Sequence, residues 1–235
     1  MPNFQQRSNA KELLDSNNIP FADIAQNMRE LDVINQQLGG HRVTLKGVQH
    51  LLKGKRDVLH RPVHIVEVGC GGGDNLFAIK QWAATKNIPV QLTGVDINEE
   101  CIAYAKSIDR NSGIEFITSD YRQLIFGSKP HLIFSSLFCH HFTNPQLVRQ
   151  LQWMQQNVLH GFFINDLHRH PLAYYSIKAL TQALSKSYLV KNDAPLSVLR
   201  GFTKKEWETI FEQAHITHYK CSWQWAFRWL ITCTV

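Results

Sequence analysis

From residue 64 to residue 167 the chain repeats one pattern, in which short β-rich runs alternate with amphipathic helical stretches. The runs are His64–Gly69, Val90–Ile97, Ile114–Ser119, His131–Leu137 and Gly161–Leu167. Strands that alternate with helices predict βαβ units, and hence a parallel sheet covered on both faces. Helix starts are marked: Asn98 precedes "EECIAYAKSI", Asn144 precedes "PQLVRQLQWMQQNV" with Pro145 at the first helical position, and Thr203 forms a capping box with Glu206. Two further runs, Ile216–Ser222 and Phe227–Thr232, predict a terminal strand pair after the last helix. The expectation is an α/β fold with a mostly parallel seven-stranded sheet and an antiparallel terminal strand.

The flanks read differently. Residues 1–60 have helical periodicity, with Ile24, Met28, Leu31 and Ile34 near helical spacing and Gly39-Gly40 as a stop. They predict an amino-terminal helical cap or lid on a core of residues 61–235. The stretch 168–202 breaks the alternation and reads as an inserted helix, Ala173–Ser185, followed by a loop. Both flanks would lie over the carboxyl edge of the sheet, where ligands of open α/β sheets bind.

Composition narrows the function classes. The chain has 235 residues and a formal net charge of +6, yet its longest basic stretch is "KGKR" at Lys53–Arg56. A modest excess of this kind reads as solvated surface rather than a nucleic-acid site. The amino terminus lacks the apolar core of a signal peptide, and no apolar run is long enough for a stable membrane span. Five scattered cysteines without a CxxC pair fit reduced thiols in the cytoplasm.

The first strand ends in "VEVGCGGGDNL", with four glycines in the five positions 69–73. Such a turn gives a ligand close access to backbone and is the usual seat of a nucleotide. The dinucleotide count GxGxxG fails, because Asp74 stands where a third glycine belongs, and there is no GxxxxGK[ST]. What remains is Glu67-x-Gly69-x-Gly71-x-Gly73. Strand two ends at Asp96, placed to accept both hydroxyls of a ribose; strand three ends at Asp120, placed to accept from an adenine amino group. Each acid also reads as a helix cap. Cys70 reads as a small packing residue within the turn.

The strings "VEVGCGGGD", "TGVDIN", "TSDYRQL" and "LIFSSLFCHHF" together resemble the class I S-adenosylmethionine-dependent methyltransferases. The resemblance implies a Rossmann-like fold and S-adenosyl-L-methionine as cofactor, with S-adenosyl-L-homocysteine as product. It places Glu67 and the Gly69–Gly73 turn, Cys70 included, on the methionine part, Asp96 on the ribose, Ile97 against adenine, and Asp120 with Tyr121 beside the base.

The acceptor end is expected after strands four and five. His140 and His141 follow strand four, and His168 follows Asp166 at the end of strand five. A neutral imidazole is a natural base for a phenol proton, so His141, His140 and His168 are the catalytic candidates. His140, His141, His168 and His170 also admit a metal reading, but no acidic or thiolate ligand accompanies them locally, and no metal is expected. No NPPY-type string follows strand four, which speaks against a nucleic-acid base as acceptor. Phe21, Ile24, Met28, Tyr174, Tyr175, Ile177, Leu180 and Leu184 suggest an apolar pocket for a small molecule. The flanking segments "MRELDVINQQLGGHRVTLKGV", "NDLHRHPLAYYSIKALTQ" and "NDAPLSVLRGFTKKEW" resemble bacterial methyltransferases found with type III polyketide synthases, which implies O-methylation of a phenolic or lipid-like compound; a monomer or homodimer is expected. C-methylation of a quinone or phenol ring, a cofactor-binding module without turnover, and an RNA or protein methyltransferase are the alternatives.

Overall fold

A computed structural model of the chain describes residues 2–16, 19–55, 61–108 and 113–235. Arg56 and the 60/61 boundary expected from sequence lie outside them. Seven strands form one sheet: β1 (Val63–Val68), β2 (Val90–Asp96), β3 (Glu115–Thr118), β4 (Leu132–Ser136), β5 (Gly161–Leu167), β6 (Tyr219–Gln224) and β7 (Arg228–Thr234). Their order is β3-β2-β1-β4-β5-β7-β6. β1 to β5 are parallel; β7 runs antiparallel between β5 and β6.

The helices are α1 (Phe21–Gln37), α2 (Gly40–Leu52), α3 (Asp74–Thr85), α4 (Glu99–Ile108), α5 (Asn144–Asn157), α6 (Pro171–Leu184), α7 (Tyr188–Arg200) and α8 (Lys204–Gln213). Side chains alternate along each strand, so each covers two cores. In β1, Val63 and Ile65 join the core under α2, α3 and α4, while Val66 and Val68 join the core under α5 and α8. In β5, Phe163 stacks on Phe134 at 4.8 Å on the first side, and Phe162 and Ile164 face the second. A Cβ on Gly47 of α2 would lie 2.6 Å from the Phe163 ring, so α2 reaches the sheet only because that position is glycine.

Three expectations change. α2 packs on the face of the sheet rather than over its edge, while α1, the segment before it and the end of α7 at Arg200 lie over the carboxyl ends. The loop expected after α6 is helix α7, capped by Ser187, with Pro195 inside it. Pro195 and "NDAP" argue locally against a helix, but burial of Leu189, Val190 and Val198 overrides that local preference. The cap of α5 is Thr143, which shares a capping box with Gln146, one residue before the expected Asn144. Asn98 and the Thr203–Glu206 box cap as expected. All five cysteines are free thiols, and among the described residues no helix is long and apolar enough to cross a membrane.

The order of strands reverses between β1 and β4, and the carboxyl ends there open a crevice, as in other doubly wound sheets. Phe163 holds α2 against that sheet. Phe163→Ala is expected to lower stability by about 3–5 kcal/mol, the cost of emptying a fully buried aromatic site; urea unfolding followed by tryptophan fluorescence measures it.

Candidate active site

A cavity of about 1540 Å³ opens over these carboxyl ends. At one end lies the turn from β1 to α3. Gly69, Gly71 and Gly73 all have positive φ, at +72°, +50° and +79°. A side chain on Gly69 would strike the Phe138 ring at 2.1 Å, and one on Gly73 would strike Phe116 at 2.7 Å. At Gly71 a Cβ would meet only the Met28 sulfur at 3.5 Å, and Gly71 lines the cavity. Two glycines therefore serve packing and one leaves the backbone open to a ligand.

Asp96 ties this turn to the next strand. Its Oδ2 accepts from the Gly71 N–H at 2.9 Å and its Oδ1 from the Asn98 N–H at 2.9 Å. Each oxygen keeps a further lone-pair direction for a hydroxyl. Beside it Ile97, 73% exposed, offers an unsatisfied apolar surface to the cavity. Cys70 is buried on the wall, and burial pushes its thiol well up, so it is no nucleophile.

Glu67 carries the sharpest electrostatic signal. It is buried, its Oε1 accepts from Asn75 Nδ2 at 3.1 Å, and its Oε2 has no partner. Burial, aided by the negative charge of Asp74 and Asp96, raises its pKa well above the ordinary carboxylate value, although Asn75 opposes the shift. A partnerless buried acceptor on a cavity wall fits a cationic group such as the ammonium of an amino acid.

The other end of the cavity is built by the amino-terminal segment. Arg7 donates to the carbonyls of Arg200, His140 and Phe142 at 2.9–3.0 Å, and its guanidinium lies 4.1 Å over the Phe202 ring. Arg200 donates to the carbonyls of His140 and Ala10 at 3.1 and 2.8 Å. These bonds strap residues 7–15 across the turn Cys139–His141 after β4. The strap delivers Glu12 and Asp15 to the two histidines. His140 is buried, with Nδ1 2.8 Å from Asp166 Oδ1 and Nε2 3.5 Å from Glu12 Oε1. His141 is half-buried, with Nδ1 3.1 Å from Asp15 Oδ1 and Nε2 3.8 Å from Glu12 Oε2. Burial opposes a charge on His140, but Asp166 and Glu12 outweigh it and push its pKa up to about 9. The neutral imidazole expected from sequence is thus not what His140 offers at neutral pH. Glu12, Asp15, Arg7 and Arg200 had no local signal in the sequence; they meet the histidines only through folding.

Not every candidate reaches the cavity. Asp120 caps the turn Tyr121–Gln123 through the Arg122 N–H and pairs with the Arg122 side chain. Tyr121 turns into the core, edge-on to Trp153 at 5.0 Å and Phe138 at 6.4 Å. Thr118 is what β3 contributes to the wall. His168 donates its N–H to the Phe227 carbonyl, and that bond aims its ring at Trp229, 4.9 Å away, and His170, 5.4 Å away. Burial, with the neighbouring His170 and Arg169, lowers its pKa. Of the apolar lid residues, Ile24 and Met28 line the cavity; the aromatic and aliphatic residues of α6 do not.

Residues 65–161 match the family model of a methyltransferase domain. No curated protein matches the sequence significantly. The fold is shared with solved structures of low identity. The plantazolicin methyltransferase BpumL in complex with SAH has 21% identity and a TM-score of 0.60, over 87% of this chain and 73% of its own. Human N-acetylserotonin methyltransferase in complex with SAM has 15% identity and a TM-score of 0.64, over 92% of this chain and 56% of its own. A structure described as a pericyclic reaction enzyme, at 15% identity and a TM-score of 0.56, covers 80% of this chain and 46% of its own. The matched segment is a methyltransferase domain, and the fold is shared with methyltransferases solved with SAM or SAH.

Glu67 gives a pH prediction with a definite sign. A carboxyl whose folded pKa is raised contributes stability below its unfolded pKa and loses it as pH rises through the folded value. Glu67→Gln removes that loss, so between pH 6 and pH 8 the wild type should fall in melting temperature relative to the variant. Thermal unfolding across this range, without ligand, is the measurement.

Proposed function

We propose that this chain transfers a methyl group from S-adenosylmethionine to a hydroxyl of a small molecule, with a phenolic, polyketide-type compound as the acceptor. The observation that carries this reading is that a single cavity joins the Gly69–Gly73 turn and Asp96 to the His140–His141 pair. Glu67 takes the ammonium of the methionine part, Gly71 leaves room for it, Asp96 accepts from the ribose hydroxyls, and Ile97 lies under adenine. The chemistry supplied by the cofactor is an electrophilic methyl on a sulfonium, which departs as a neutral thioether.

The acceptor rests against Phe138 and Phe142, both on the wall. Asp15 on Nδ1 of His141 fixes the tautomer that leaves Nε2 basic. That nitrogen takes the acceptor proton as the oxygen–carbon bond forms. His140, held as a cation by Asp166 and Glu12, supplies positive charge beside the developing oxyanion. The strap and α1 hold water away from the reacting atoms.

The two ends of the cavity should separate on mutation. Asp96→Ala is expected to weaken S-adenosylhomocysteine binding roughly 10–100-fold, since hydrogen bonds to a charged group are lost. His141→Ala should leave that binding nearly unchanged while lowering turnover by about 10²–10⁴. Calorimetry and transfer of labelled methyl to a panel of phenols and resorcinols measure the two. Equal loss of cofactor in both variants contradicts the division of roles, and the labelled position in the product reports oxygen or carbon as the methylated atom.

A further inference from the structure

We infer that Glu12, His140 and His141 bind a divalent transition-metal ion of the zinc class, through the carboxylate of Glu12 and the Nε2 atoms of both histidines. These three ligand atoms lie within 4.8 Å of one another. The geometry distinguishes a metal site from an ion-pair cluster. Charge-assisted hydrogen bonds close to about 2.7–2.9 Å, and the outward contacts of the cluster do so or come near it: His140 Nδ1 to Asp166 at 2.8 Å and His141 Nδ1 to Asp15 at 3.1 Å. The inward contacts do not. Glu12 Oε1 lies 3.5 Å from His140 Nε2, and Oε2 lies 3.8 Å from His141 Nε2. Ligand bonds of about 2.0–2.1 Å in a tetrahedron place neighbouring ligand atoms about 3.4 Å apart. The His140 spacing is close to that of groups around an ion, and the His141 spacing, to the other carboxylate oxygen, is a few tenths of an ångström wider.

The outward bonds are those a metal site needs. A ligating histidine donates its other N–H to a carboxylate, which fixes the tautomer and aims the free lone pair. Asp166 does this for His140 and Asp15 for His141. Ser197 Oγ donates to Glu12 Oε1 at 2.7 Å and orients the third ligand. Charge agrees as well. In the metal-bound form the ion takes the place of the Nε2 protons, both imidazoles are neutral, and Glu12, Asp15 and Asp166 outnumber Arg200 and Arg7, so a divalent cation offsets the remaining negative charge. Two histidines and one carboxylate form a ligand set that zinc enzymes use with a fourth position open. Both histidines line the cavity, so that position faces the acceptor end.

The other cluster of this kind among the described residues, Asp32, His41 and Asp74, differs where it matters. There His41 Nε2 already closes on Asp74 at 2.8 Å, a hydrogen bond rather than a ligand spacing.

The inference rests on the methyltransferase reading for the ion's use and, with the ion bound, replaces the base and cation roles given above to His141 and His140, whose Nε2 lone pairs then go to the metal. An acceptor hydroxyl bound at the open position gives up its proton to water more readily as it binds, and the oxygen is held in place as the methyl arrives. The ion also clasps the amino-terminal strap to the turn after β4.

Full-length protein treated with chelator and freed of it tests the site by titration with Co²⁺, read by visible d–d absorption, with Zn²⁺ as competitor. A single tight equivalent displaced by Zn²⁺ is expected. Glu12→Gln and His141→Ala should abolish it, and Asp15→Asn should weaken it about 10–100-fold. His41→Ala should keep it. His141 is half-buried, so its variant is read even where Glu12→Gln fails to fold. Absence of saturable binding, or binding unchanged in His141→Ala, overturns the inference. Calorimetry of S-adenosylhomocysteine on the metal-free protein separates the two readings. Cofactor binding with no metal site leaves the methyltransferase reading and sinks the metal. A metal site without cofactor binding does the reverse.

Discussion

The carboxylate of Asp96 joins the end of β2 to the two loops that shape the cavity. One oxygen holds the Gly71 N–H, the other the Asn98 N–H. Through the first bond it sets the glycine turn at the end of β1; through the second it sets the start of α4. Carboxylate acceptors give the stronger class of hydrogen bond, and here they act at a partly dry site. Asp96 adds a side-chain anchor to the two backbone bonds by which the Gly69 and Cys70 N–H groups reach the Val95 carbonyl of β2. The positive φ values at Gly69, Gly71 and Gly73 belong to the same arrangement, since the chain must reverse tightly to place helix α3 behind the sheet while keeping its backbone toward the cavity.

The second half of the site depends on a longer reach. Arg7 and Arg200 do not touch the cavity chemistry by charge alone; they bond to carbonyls of the turn that carries His140 and His141. Those bonds satisfy acceptors that the turn cannot pair within itself. Glu12 and Asp15 arrive as a consequence. Glu12 and Asp166 are buried against buried His140 and are stable there only as a paired network, and the carboxyls show it: burial acts to raise Glu12, Asp15 and Asp166, yet the histidines hold all three below their ordinary values.

Much of this was legible in the chain. The alternation of periods identified the parallel strands, and the spacing Glu67-x-Gly69-x-Gly71-x-Gly73 with Asp96 at the next strand end picked out residues that line one end of the cavity. Asp120 and Tyr121 show where such reading stops. Strand ends locate a residue to within one turn, but Asp120 finds a nearer partner in Arg122, and Tyr121 gains more from Trp153 and Phe138 than from the cavity. His168 is similar: it sits at the right strand end, but its backbone bond to Phe227 aims the ring elsewhere. Helix α7 was hidden because Pro195 breaks the local signal and only tertiary burial restores it.

The sequence by itself determined the sheet, the glycine turn and its acid partners, because these depend on residues close together or on a repeating period. It also placed two histidines at the right strand end. Only the tertiary structure decided what faces them. Glu12 and Asp15 lie far from His140 and His141 along the chain, no local pattern links them, and the contacts between them exist only once the strap is bound across the carboxyl edge of the sheet.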